Sequence, residues 1–393
     1  MKLNKNFLSL GESYFFAEVS RRVAEYQSTH PESNIIRMGI GDVTLPLAPV
    51  VVSALEKASR EMGTAETFRG YGAYTGYEFL RQAICGYYAK KGVELDLDEV
   101  FVSEGAKSDA AGILDLFEGG QTALVPDPVY PVYVDTNILC GNTVVCLPGN
   151  VENGFLPKPD YGIKTDIIYL CSPNNPTGAV YGQEQLNVWI DYADSCGAVI
   201  LYDSAYAGFI KSSKPSSIYQ VSGAKNVAIE MGTFSKMSGF TGTRCAYTII
   251  PKELKRECAS LNRLWHRRQA TKFNGVSYIV QKGAEAALSE EGLKQSSENL
   301  DYYLENAKII TNTLAEIDIW HTGGKDAPYI WLKCPNGMTS WDFFDNLLEK
   351  AHVVGTPGSG FGSQGEGFFR LTAFASRQDT VEAMKRVKDL FAF

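Results

Sequence analysis

Short apolar runs alternate along this chain with longer stretches of helical period, the pattern of a mainly parallel sheet covered by helices. Val100-Phe101-Val102 predicts a strand that runs into Ser103-Glu104-Gly105-Ala106-Lys107, with a helix following from about Ser108 to Phe117. Thr122 to Val125, Asp166 to Cys171, Ala198 to Tyr202, Val227 to Glu230 and Arg244 to Ile250 predict further strands. From about Glu291 to Ile317, Leu300, Tyr303, Leu304, Ala307, Ile310 and Leu314 recur at helical spacing and predict one long connecting helix. Beyond it come short strands (Tyr329 to Leu332, Val353-Val354, Phe369 to Thr372) and a final amphipathic helix from about Gln378. The expected fold class is α/β: a large domain with a mainly parallel sheet between helices, plus a smaller α+β domain. The expected boundaries are an N-terminal arm that forms part of the small domain (1–45), the large domain (46–290) and the small C-terminal domain (291–393).

Composition narrows the function classes. A chain of 393 residues, 45% hydrophobic, can bury a large core. Its 37 basic and 45 acidic residues are spread along the chain for a net charge of −8, which argues against a nucleic-acid or anionic-membrane surface. No apolar run approaches the ~20 residues that span a bilayer, and Met1-Lys2-Leu3-Asn4-Lys5 opens neither a signal nor a transit peptide. Eight scattered cysteines without a Cys-x-x-Cys read as free thiols of a cytoplasmic protein. The four histidines match no metal spacing, so no metal is expected.

The chemistry concentrates in Gly232-Thr233-Phe234-Ser235-Lys236, read as a loop after an apolar strand, with Arg244 eight positions on. A lysine there can form a Schiff base with an aldehyde, while the hydroxyls of Thr233 and Ser235 and the guanidinium of Arg244 hold a dianionic phosphate. Backbone N–H groups at Ala106 and Lys107, opening a helix, complete an anion site. Pyridoxal 5'-phosphate carries both an aldehyde and a phosphate on one ring. Asp203, at the end of a strand that should be buried, is placed opposite a pyridinium nitrogen, where its charge keeps that nitrogen protonated. Tyr206 and the amide of Asn175 can bond the ring's phenolic oxygen, and Tyr130 can stack on the ring face. Lys236 would also carry the proton between substrate and cofactor.

Arg370 is a charge inside an otherwise apolar strand, Gly367-Phe368-Phe369-Arg370-Leu371, and a bidentate bond to an α-carboxylate is its natural partner. Gly39-Ile40-Gly41-Asp42 can bring backbone N–H groups to the same carboxylate. Gly358-Ser359-Gly360-Phe361-Gly362 precedes a strand instead of opening a helix, so it reads as a flexible loop and not as a dinucleotide fingerprint.

Asp203-Ser204-Ala205-Tyr206, Lys236 and Arg244 resemble the fold-type I pyridoxal-phosphate transferases across nearly the whole chain. Gly41-Asp42-Val43-Thr44, Thr67-Phe68-Arg69-Gly70-Tyr71-Gly72, Asp127-Pro128-Val129-Tyr130-Pro131-Val132-Tyr133 and Lys272-Phe273-Asn274-Gly275 are similar to the LL-diaminopimelate aminotransferase family. That resemblance implies a homodimer with shared sites, in which Tyr71 and Asn274 reach into the partner's site and Tyr14, Gly41 and Lys107 contact substrate. It implies interconversion of tetrahydrodipicolinate plus glutamate with LL-diaminopimelate plus 2-oxoglutarate, in lysine and peptidoglycan precursor synthesis.

Two positions depart from the family pattern. Tyr74 stands where the family carries an acidic residue toward the substrate's distal ammonium, and Leu45 replaces a commonly polar residue. A related aminotransferase for another long or aromatic amino acid therefore stays open. So do a lyase or decarboxylase on the same fold and a ligand-sensing domain.

Overall fold

The computed structural model describes residues 1–10 and 15–391. Helix α1 (Phe15–Thr29), strand β1 (Ile36–Arg37) and helices α2 (Pro49–Glu61) and α3 (Glu78–Ala89) lead into the central region. There β2 (Val100–Ser103), α4 (Ala106–Gly112), β3 (Thr122–Asp127), α5 (Val132–Leu139), β4 (Thr143–Pro148) and β5 (Ile167–Cys171) follow one another. Next come α6 (Gln183–Cys196), β6 (Val199–Asp203), β7 (Ala228–Thr233), α7 (Phe234–Met237) and β8 (Ala246–Ile249). A hairpin of β9 (Lys255–Arg256) and β10 (Ala259–Ser260) precedes α8 (Leu261–Lys272), α9 (Tyr278–Ala287) and the long α10 (Glu290–Glu316). The C-terminal part holds β11 (His321–Gly323), β12 (Tyr329–Lys333), α11 (Ser340–Asn346), β13 (Val353–Val354), β14 (Thr356–Pro357), β15 (Phe368–Thr372) and α12 (Arg377–Phe391).

Seven strands form one sheet in the order β2-β8-β7-β6-β5-β3-β4, parallel except for β8. The inner strands are buried on both faces, which is why they read as unbroken apolar runs. Along β5, Ile167, Tyr169 and Cys171 join the core on one face, and Ile168 and Leu170 join the core on the other. Each such side chain contributes roughly 1.5–3 kcal/mol by leaving water. The sequence reading lacked β4, a half-exposed edge strand paired only with β3. The helix expected after β2 from about Ser108 begins two residues earlier: α4 starts at Ala106, and a 3-10 turn, Ile113–Leu116, follows it.

The second sheet is antiparallel, in the order β11-β12-β15-β14. The N-terminal segment packs with it. β1 pairs with β13, and Val23, Ile36 and Met38 share a core with Ala307, Ile310, Phe369 and Met384. Helix α10 starts on a Ser289 cap that accepts from the Gly292 amide at 3.0 Å, with Glu290 and Glu291 in its positive first turn. One expectation fails here. Gly358–Phe361 is no open loop but a 3-10 turn with Gly358 and Phe361 buried. A Cβ at Gly358 would lie 2.1 Å from the Gly365 carbonyl, so this turn needs glycine for its packing. Among the described residues, no helix is long and apolar enough to cross a membrane.

Candidate active site

The parallel strands β2, β3, β5, β6 and β7 end at one edge of the sheet, where open α/β folds gather ligands. Strand β8 runs the other way, so its beginning meets that edge: Thr233 pairs with Ala246, and Arg244 arrives beside the end of β7. A cavity of about 440 Å³ opens there. Gly41, Ala106, Lys107, Tyr130, Asn175, Asp203, Tyr206, Thr233, Ser235, Lys236, Arg244 and Arg370 all line it.

Lys236 sits on the single turn of α7 and not in a loop, a correction to the sequence reading. Thr233 caps that turn, its Oγ1 accepting from the Ser235 amide at 3.1 Å. The Lys236 Nζ donates to the Gly41 carbonyl at 2.5 Å and lies 3.8 Å from Asp42 Oδ1. Burial lowers its pKa to about 8; Asp42 opposes the shift, and Arg370 and Arg244 reinforce it. Roughly a tenth of the amine is therefore uncharged near pH 7, far more than for an ordinary exposed lysine.

Asp203 closes β6 and is buried. Its Oδ2 accepts from the Tyr133 hydroxyl at 2.6 Å and its Oδ1 from the Ala205 amide at 2.9 Å. Burial raises the carboxyl above its ordinary range, while those two donors favour the anion. The buried Tyr206 hydroxyl lies 2.5 Å from that of Tyr329.

Hydroxyls and a guanidinium cluster at another part of the cavity. Thr233 Oγ1 donates to Ser235 Oγ at 3.0 Å, and Arg244 Nη1 reaches the same Ser235 oxygen at 3.5 Å. A Cβ on Gly105 would lie 2.3 Å from Arg244 Nη2, so a side chain there would push the guanidinium end away from the start of α4. Asp109 pins that helix start. Its buried carboxylate accepts from Ser103 Oγ on β2 and, at 2.8 Å, from Thr248 Oγ1 on β8.

Arg370, on β15, is oriented before any ligand arrives. Nη1 donates to Asn175 Oδ1 at 2.6 Å, Nη2 donates to the Gly39 carbonyl at 2.8 Å, and the group lies over the rings of Tyr329 and Phe361, 4.6 and 4.8 Å from their centroids. Gly39 and Gly41 thus turn carbonyls toward Arg370 and Lys236, where the sequence reading expected N–H groups toward a carboxylate.

The sequence matches the family described as aminotransferase class I and II over residues 33–387. The chain belongs to the class I and II aminotransferases. Within them it is 51% identical to an LL-diaminopimelate aminotransferase of Agathobacter rectalis, over 99% of this chain and 100% of that one. It is 52% identical to the namesake enzyme of Lachnospira eligens, with the same coverage. The solved structure of L,L-diaminopimelate aminotransferase from Chlamydomonas reinhardtii superposes with a TM-score of 0.94 at 41% identity, covering 100% of this chain and 99% of that one.

Aminotransferases of this fold, fold-type I, depend on pyridoxal 5'-phosphate, and the cavity suits it. One amine of lowered pKa, one buried carboxylate and a hydroxyl–guanidinium cluster match an aldehyde, a ring nitrogen and a phosphate in turn.

Two of the described residues predicted for the site, Tyr71 and Asn274, are not among those that line the cavity. Tyr71 is 92% exposed and Asn274 is exposed, while Tyr14 lies outside the described residues. Tyr74 also lies apart from it, its hydroxyl 3.4 Å from His266 Nε2. The Leu45 amide donates to the Tyr303 hydroxyl at 2.6 Å, and its side chain packs on the cluster containing Tyr206 and Tyr329. Sequence reasoning gave no role to Tyr133, Tyr329 or Cys171, which also line the cavity. Tyr133 lies three residues after Tyr130, at the start of α5, and the two rings meet edge to face at 5.8 Å.

Proposed function

We propose that this chain is an LL-diaminopimelate aminotransferase, interconverting LL-diaminopimelate plus 2-oxoglutarate with tetrahydrodipicolinate plus glutamate. The observation that carries the reading is the convergence of Lys236, Asp203 and Arg370 in one cavity of a chain about half identical, end to end, to enzymes of that name.

Pyridoxal phosphate, when bound, supplies a ring that takes up the electron pair left as the substrate's Cα–H bond breaks. Lys236 would hold the cofactor through its amine and, as a free amine, would serve as the base and acid that moves the substrate's Cα proton. Asp203, charged with the help of Tyr133, holds the ring nitrogen protonated. Tyr206 and Asn175 serve the phenolic oxygen, and Tyr130 covers one face of the ring. The amides of Ala106 and Lys107, with Thr233, Ser235, Arg244 and Tyr71 of the partner subunit, hold the phosphate. Arg370 takes the α-carboxylate with Gly41 beside it. Lys107, Tyr14 and Asn274 of the partner subunit meet the rest of the substrate.

The exposure of Tyr71 and Asn274, neither of which lines its own subunit's cavity, supports a homodimer with shared sites. The same reading divides the chain at 45/46 and 290/291 and places the protein in the cytoplasm, where its eight free cysteines suit a reducing environment. The deciding measurement is wild-type kcat/KM for LL-diaminopimelate with 2-oxoglutarate. A value of ~10⁴ M⁻¹s⁻¹ or more is expected; one several decades lower, beside a better amino donor, sinks the assignment.

A further inference from the structure

We propose that Tyr329 is a positioning residue for Tyr206: its hydroxyl donates to the Tyr206 oxygen and so aims the single Tyr206 proton at the cofactor's phenolic oxygen. This rests on the reading that Tyr206 serves that oxygen.

The two hydroxyl oxygens are 2.5 Å apart, with the rings edge to face at 4.9 Å. Among the described residues the Tyr206 hydroxyl has no other hydrogen-bond partner. A phenol carries one proton. If Tyr206 gives its proton to the cofactor, it can only accept from Tyr329, so the donor order of the pair is settled by the task of Tyr206. A donor onto its oxygen also polarises its own O–H, which makes Tyr206 the stronger donor in turn.

Tyr329 is built to stay in place. It is fully buried on β12, whose backbone pairs it with Thr372 of β15. The Arg370 guanidinium lies 4.6 Å from its ring centroid, and Phe374 meets its edge at 6.3 Å. A Cβ on Gly41 would already lie 3.2 Å from its hydroxyl, so a larger residue there would crowd the oxygen. The cation over the ring draws electron density from the phenol and improves it as a donor. Tyr329 belongs to the antiparallel sheet, whereas Tyr206 follows the last residue of β6 in the seven-stranded sheet. One hydrogen bond thus links the seating of the two sheets to the electronic state of the site.

The test is Tyr329→Phe, which keeps the ring, its volume and the Arg370 contact and removes only the hydroxyl. The other charged or titratable groups lining the cavity near the pair, Cys171, Asp203, Lys236 and Arg370, are unchanged. The readout is the pH midpoint of the absorbance change of the cofactor-loaded, substrate-free enzyme, with Tyr206→Phe and the double variant beside it. A donor to the phenolic oxygen favours the form that has lost its proton, so losing donor strength raises the midpoint. Tyr329→Phe is expected to raise it by about 0.4–1 pH unit, Tyr206→Phe to raise it further, and the double variant to match Tyr206→Phe. A Tyr329→Phe midpoint equal to wild type, with Tyr206→Phe shifted, overturns the proposal. Full additivity in the double variant overturns it too, because Tyr329 would then act by another route. If Tyr206→Phe itself shifts nothing, the role of Tyr206 fails and this proposal fails with it.

Discussion

The Tyr133 hydroxyl donates to Asp203 Oδ2 across 2.6 Å, with both side chains buried beneath the cavity. It is the only side-chain donor to that carboxylate among the described residues, and the Ala205 amide supplies the other bond. Removing it leaves burial to raise the carboxyl further, so the charge opposite the ring nitrogen weakens. Tyr133→Phe is expected to lower kcat by about 10–150-fold, the range for a hydrogen bond to a charged group. Asp203→Asn removes the charge outright, so its kcat should fall further, and far more than its cofactor affinity. Near-normal kcat in both variants would show that Asp203 does not act on the ring.

Lys236 has a pKa of about 8 because burial outweighs the pull of Asp42. Below that pH the amine is protonated and cannot attack an aldehyde; above it the nucleophile is free. The rate at which apoprotein captures pyridoxal phosphate should therefore rise with pH and level off above about 8. An ordinary exposed lysine would keep rising to about 10.4. Borohydride should then fix the label on the Lys236 peptide; label on another lysine rejects the assignment.

Tyr71 is exposed and outside its own subunit's cavity, so complementation between subunits is expected. Lys236→Ala and Tyr71→Ala should each be inactive alone. After subunit exchange, a heterodimer has one site with both residues intact, and activity should return. No recovery from mixtures with demonstrated exchange would exclude a shared site.

Tyr74 stands where the family resemblance implies an acid, and its hydroxyl lies 3.4 Å from His266 Nε2, outside its own subunit's cavity. If LL-diaminopimelate is the substrate and position 74, like Tyr71, serves the partner subunit's cavity, Tyr74→Glu should keep it accepted and lower its KM, by up to roughly 10–150-fold for a charged partner at that site. A variant that gains LL-diaminopimelate activity from a nearly inert wild type would instead mark a pocket rebuilt for another distal group.

Much of this protein was legible in its residues. The inner strands announce themselves because a strand buried on both faces must be apolar throughout, and β5 to β7 are. Their loops carry chemistry that stands out locally: Lys236 between hydroxyls, Asp203 after an apolar run, Arg370 inside one. The edge strand β4 and the turn of α7 were less legible, since half-exposure and a single helical turn leave little periodic signal.

By itself, then, the sequence determined which segments fold as strands and helices and which side chains bear the reactive groups. Those depend on neighbours a few residues apart. Only the tertiary structure decided what those groups touch. Strand order and the reversed direction of β8 bring Arg244 to Lys236. Tyr206 and Tyr329, 123 residues apart, share a hydrogen bond, as do Asp203 and Tyr133 at a separation of 70. The fold also turns Tyr71 outward, away from the cavity its neighbours line. Such pairings are set by how sheets and helices pack to bury apolar surface, a non-local outcome that leaves no period in the chain.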